Sequence, residues 1–190
     1  GTGAMADAEA DTWHTQDAAR RLCRAVGDEE RFVGLMLGAR LFPHHPSPAA
    51  FAREIADLAG PVFLERLLRT RPAGGRLAAS LRPLALKVLA VAVADGLTVG
   101  EDRRPALAAL ACESLAAEDE AEAEDAARTV AAAFGTLEGA RAVLEGEGLG
   151  EACRALVGDL ARPERVLSAC DLVEELSRRL APHAHALARA

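Results

Sequence analysis

Histidines and cysteines are the first residues to weigh for chemistry, and their spacing is poor for it. His44-His45 lie between Pro43 and Pro46, and His183 and His185 lie near the other end. Neither pair has Cys, Asp or Glu at the spacing a zinc site uses, so His44 and His45 read as a solvated loop with no metal. Cys23, Cys112, Cys153 and Cys170 stand far apart among helix-forming residues, without a CxxC pair. Such thiols read as reduced core residues of a cytosolic protein. No GxSxG elbow, Walker loop or HExxH motif occurs. Gly74-Gly75 precedes Arg76, but no strand leads into it as a phosphate loop requires. No catalytic, cofactor-binding or metal-binding residue is assigned, and the expectation is a protein that is not an enzyme and carries no cofactor.

Charge is distributed more tellingly. The net charge of −7 argues against a nucleic-acid or anionic-membrane partner. Arg66, Arg69, Arg71, Arg76, Arg82 and Lys87 nevertheless form a basic strip, while Glu113 and Glu118–Asp125 form an acidic run. The run reads as a solvated face. Arg66 and Arg69 are three apart, so on a helix they project together. They could receive an acidic peptide segment, or they could be ordinary solvated arginines.

The elements that position these residues are helical. Ala, Leu, Glu and Arg dominate, Tyr is absent and there is one Trp, which leaves little for strands. At 190 residues one domain is expected. Its bounds are 15–181, after a flexible 1–14 that opens with a tag-cleavage scar, and before a flexible tail 182–190. Between Leu84 and Ala94 only Lys87 is charged. A helix apolar all round is a core helix or a membrane span. Eleven residues rise about 16 Å against the roughly 30 Å of a bilayer core. Arg82–Asp95 is therefore expected to be the central helix, with Pro83 in its first turn, and no stable membrane insertion is expected.

Around it, a first helix from Thr15 or Gln16 should face inward through Leu22, Cys23 and Val26. Asp28 should cap a second, with Phe32, Leu35, Met36, Ala39 and Phe42 inward. Ser47-Pro48 and Gly60-Pro61 open two more, carrying Phe51, Ile55 and Leu58, then Val62, Leu64, Leu67 and Leu68. Arg71–Ser80 and Gly96–Gly100 read as breaks. Further helices use Leu107, Leu110 and Ala111, then Ala126, Val130, Ala133 and Phe134, then Leu137, Ala140, Val143 and Leu144. Gly148 opens another. Pro163 starts the last helix, with Val166, Cys170, Val173, Leu176 and Leu180 inward, and Pro182 ends it.

Two stretches share one grammar. REIADLAGPVFLERLL and RAVLEGEGLGEACRALV each turn on a glycine, Gly60 and Gly148, roughly 88 residues or two periods of about 44 apart. A period near 40–47 with two or three helices is the mark of armadillo or HEAT repeats; an irregular helical bundle is the alternative. The expected fold is all-α, an armadillo/HEAT-like α-solenoid forming a short right-handed superhelix of about three units. Arg66, Arg69, Arg104 and Arg154 take comparable positions in such units and are the candidate protein-binding residues.

The order of DEERFVGLMLGARLF, FAREIADLAGPVFLERLLRT, LRPLALKVLAVAVAD and EGARAVLEGEGLGEACRAL resembles the N-terminal part of the neurochondrin family. The resemblance spans about Asp28 to Asp159 and rests on helical packing motifs. It implies a cytoplasmic armadillo-like adaptor that binds other proteins. Family members are much longer, and their lipid-modified cysteines have no match here. An armadillo-type chaperone co-factor and a helical enzyme with an unrecognised site are the alternatives. The sequence leaves partner identity and oligomeric state open.

Overall fold

Proline and glycine set many of the helix boundaries. The computed structural model describes residues 2–70, 76–93, 104–158 and 162–188, with side chains described over 13–70, 80–93, 106–158 and 162–188. The helices are α1 (Thr2–Cys23), α2 (Asp28–Leu41), α3 (Pro48–Ala59), α4 (Pro61–Arg69), α5 (Arg76–Ala92), α6 (Arg104–Ala111), α7 (Glu120–Ala133), α8 (Leu137–Glu145), α9 (Gly148–Gly158), α10 (Pro163–Leu180) and α11 (Ala184–Leu187). Short 3-10 turns cover Phe42–His44, Cys112–Ser114 and Ala181–His183. No strand occurs among the described residues. Pro48, Pro61 and Pro163 each open a helix, where the missing N–H has no partner to lose. Asp119 and Thr136 cap α7 and α8, accepting from Glu122 N at 2.9 Å and Gly139 N at 3.1 Å.

Several boundaries differ from the sequence reading. α1 is already helical from Thr2, well before Thr15. Gly27, not Asp28, is the N-cap of α2, and the Asp28 side chain is engaged elsewhere. α5 starts at Arg76, so Pro83 lies inside it and not in its first turn. A proline there denies one i→i−4 hydrogen bond, yet burial of the following residues keeps the helix continuous. Of the expected break Arg71–Ser80, residues 76–80 are therefore helical and 71–75 lie outside the described residues; so does Gly96–Gly100. After α10 the chain continues through the 3-10 turn into α11, where Leu187 packs on the core.

Packing follows a regular order. α3 lies against α5 and α5 against α7; α4 lies against α6 and α6 against α8. Most consecutive helices also touch, most intimately α1 with α2. α5 meets α2, α3, α4 and α7, with Ala85, Leu86, Val88 and Leu89 buried and Lys87 exposed. The largest fully buried side chains include Phe51, Phe134, Leu35, Ile55 and Leu64.

Two glycines of α2 allow close approach. A Cβ on Gly34 would stand 2.6 Å from Cys23 N and 3.0 Å from Ala19 O, and one on Gly38 would stand 3.1 Å from a methyl of Ile55. Gly60, at φ 87°, is the one positive-φ residue among the described residues and joins α3 to α4 directly. Gly148 does not repeat that geometry: it opens α9 in helical conformation, and a Cβ there would sit 3.2 Å from that of Cys112. The two glycines thus do different work, one turning the chain and the other admitting a neighbour.

Some apolar residues expected inward face out, and Val26 lies beyond the end of α1. Val26 is 95% exposed, while Ala19 and Cys23 are buried. Val62 and Leu144 also face out, with Phe63 taking the place expected for Val62.

Candidate functional site

Among the described residues of the basic strip, Arg66, Arg69 and Arg82 are answered by acids of the same chain. Arg66 and Arg69 lie in the last turn of α4, where cations suit the helix dipole. Arg66 Nη2 donates to Asp28 Oδ1 at 2.8 Å, and its guanidinium lies 5.7 Å from the Phe63 ring centroid. Arg69 donates from Nη2 and Nε to Glu65 Oε1 at 2.9 and 3.1 Å. Arg82 is a brace: its Nε donates to Leu68 O at 2.7 Å and its Nη2 to Glu113 Oε2 at 2.9 Å, tying α5 to the end of α4 and to the turn after α6. Arg154 is exposed on α9. Arg104 opens α6, but its side chain lies outside the described residues, as do those of Arg71 and Arg76. Arg66 and Arg69 do share an exposed surface, though each reaches a different acid. Exposed pairs of this kind contribute about 0–1 kcal/mol, so they blunt the strip without locking it.

His45 is not a free loop residue. Its ring stacks on Phe51 at 4.5 Å and 7°, and its Nδ1 accepts from Ser47 N at 3.0 Å. Arg20 lies over Phe51 at 5.1 Å and pairs with Glu54 at 2.9 Å. The loop is thereby pinned to α3, which Arg20 ties to α1, while His44 is exposed. Among the described residues no group of three His, Cys, Asp or Glu is arranged to hold a metal ion. Burial pushes the thiols of Cys23 and Cys112 up to about 12. Cys153 is half-buried and Cys170 exposed, so the expectation of core thiols holds for two of the four. In the acidic run Asp119 serves as a cap, and burial raises the Asp125 carboxyl above its ordinary value against the opposing pull of Arg128.

The least satisfied surface is on α10. Three parallel lines run along this helix at 3–4 residue spacing. One line, Ala169, Leu172 and Leu176, faces the core. It begins with Arg165, whose Nη2 donates to the carbonyls of Ala116 and Ala117 at 2.6 and 3.0 Å, clamping α10 to the turn before α7. The next line is Val166, Cys170 and Val173, expected inward from the sequence. Val166 is half-buried, Cys170 is exposed, and Val173 is 48% exposed. The third holds Leu167, 65% exposed, together with exposed Glu164, Asp171 and Glu174. The physical reason is the width of the apolar arc: it is wider than the single neighbouring surface made by α9 and α7, so only one edge is covered. Two adjacent apolar lines, 169–172–176 and 166–170–173, are the sequence signal for this arc.

At the far end of α10, Arg178 and Arg179 flank Glu175 and hold its carboxyl below the usual range. No helix among the described residues is long and apolar enough to cross a membrane. No family model, curated protein or solved structure matches this chain.

Proposed function

We propose that the chain is a non-enzymatic adaptor that binds another protein through the open face of α10. The proposed architecture is the armadillo-like stack expected from the sequence, in a cytoplasmic protein resembling the neurochondrin family. The order of packing, α3 on α5 on α7 and α4 on α6 on α8, supports two rows of stacked helices. A stack of that kind ends on a helix face that takes either more repeats or a partner. The observation that carries the reading is the uncovered line of Val173 and Cys170 beside Leu167. Fully burying a side chain such as Leu or Val contributes about 1.5–3 kcal/mol, so this line can anchor a partner.

A second reading, docking of an acidic peptide on Arg66, Arg69, Arg104 and Arg154, is supported by the exposure of Arg66, Arg69 and Arg154. It requires exchanging Asp28 and Glu65 for the acids of the peptide. Proximity labelling with the full chain separates the two. Leu167→Glu with Val173→Glu should remove the labelled proteins, while Arg66→Glu with Arg69→Glu should leave them. The reverse pattern assigns the arginines. Labelling that neither pair alters removes both surfaces.

A further inference from the structure

We infer that the open face of α10 takes an amphipathic helix of a partner protein whose flank carries lysine or arginine. The inference rests on the proposed docking role of this face and adds the chemistry of what docks. An exposed apolar line at i, i+3 and i+4 spacing is a surface against which a second helix can lay its own apolar stripe. The charge beside it is one-sided. Glu164, Asp171 and Glu174 are exposed along the outer edge, interleaved with Leu167, and none makes an ion pair among the described residues. The nearby cation Arg178 is already engaged by Glu175. Arg162 stands at the N-cap of the helix, away from Asp171 and Glu174.

A helix laid against Val173 and Cys170 would place its own flank within reach of these three carboxylates. A basic flank gains charge-assisted contacts there, whereas an acidic flank meets like charge at close range. The whole chain, at −7, steers a basic partner in the same direction. A second copy of the chain is the weaker occupant: packing α10 antiparallel on itself about its middle brings Asp171 toward Asp171 and adds a net repulsion of −7 against −7.

The probe is a displayed library of helical peptides with a fixed Leu/Val stripe and flanking positions varied among Lys, Arg, Glu, Gln and Ser, selected on the purified full chain. Lys and Arg should be enriched at the flank. A selected peptide should bind at least about tenfold more weakly when salt rises from about 0.1 M to about 1 M, as the screening length falls from about 10 Å to about 3 Å. Replacing Glu164, Asp171 and Glu174 together by Lys should invert the preference to Glu. Leu167→Glu should abolish binding, and the milder Val173→Ser should weaken it if the Glu variant does not fold.

Selection of neutral or acidic flanks, or indifference to the triple reversal, overturns the inference while leaving the docking role intact as long as Leu167→Glu still abolishes binding. Binding that ignores Leu167→Glu and Val173→Ser removes the face, and the docking role with it. If no peptide is enriched the inference also fails; concentration-dependent sedimentation abolished by Val173→Glu would then assign the face to a second copy.

Discussion

The tightest helix contact gives the sharpest stability test. Gly34→Ala would place a methyl group 2.6 Å from Cys23 N, 2.7 Å from its Sγ and 3.0 Å from Ala19 O. The nitrogen and the carbonyl oxygen are backbone atoms of α1 and cannot rotate aside, so α1 and α2 must separate. Overpacking of this kind costs about 1–3 kcal/mol. Against it stands the helix gain of Ala over Gly, about 0.5–1 kcal/mol. The net loss is about 1–2 kcal/mol, or roughly 2–8 °C in a chain of this size. Two controls bracket it. Gly38→Ala meets only side-chain carbons of Ile55, at 3.1 and 3.3 Å, and should lose less. Gly150→Ala meets nothing within 4 Å and should gain stability. Urea unfolding followed by far-UV circular dichroism ranks the three. A Gly34→Ala midpoint equal to or above that of Gly150→Ala would falsify the close approach of α1 and α2.

Two further outcomes concern ionisation. In the native protein a thiol reagent at neutral pH should label Cys170 quickly and leave Cys23 and Cys112 untouched until urea is added; because their folded values are raised, stability is full below the unfolded value near 9 and falls as pH climbs toward about 12. Labelling of all four at one rate would show that the two thiols are not enclosed. For Asp125 the raised folded value means the native state holds its proton longer, so its stability contribution is lost as pH rises through that value. Asp125→Asn should therefore raise the thermal midpoint at neutral pH, with wild type and variant converging below the ordinary carboxylate range. A variant that melts lower at neutral pH contradicts the sign.

The sequence was most legible where local chemistry decides. Pro48, Pro61 and Pro163 open helices because a fixed φ and a missing N–H act within a single turn. The break at Gly60 was legible too, whereas the matching turn expected at Gly148 is absent, since that residue opens α9 in helical conformation. It was least legible where a second element decides. Pro83 looked like a start, but α5 runs through it because the residues after it are enclosed by α2, α3, α4 and α7. On α10, Ala169 and Leu172 occupy the buried line while Val166, Cys170 and Val173 do not; periodicity supplies both lines, and only the position of α7 and α9 chooses between them. The candidate arginines were visible as charges, and the Arg69–Glu65 pair, four apart on α4, was legible as well; the pairing of Arg66 with Asp28 was not, because it depends on how α2 and α4 meet.

The order of packing also sets the order of folding. Most helices meet partners one to three places along the chain, so most loops that must close are short, and a low contact order belongs to fast folding. The pair α1 and α2 is the most intimate in contact and close in sequence. α10 stands at the other extreme: beyond its neighbour α9 it relies on α7 and on the reach of Arg165 to Ala116 and Ala117, a span of nearly fifty residues. Hydrogen exchange should therefore be faster along α10 than along the enclosed α5, and elements with few buried contacts are the ones that open locally. A partner seated on Val173 and Leu167, as proposed, would add burial to α10, and the expected outcome is slower hydrogen exchange there when the partner is bound.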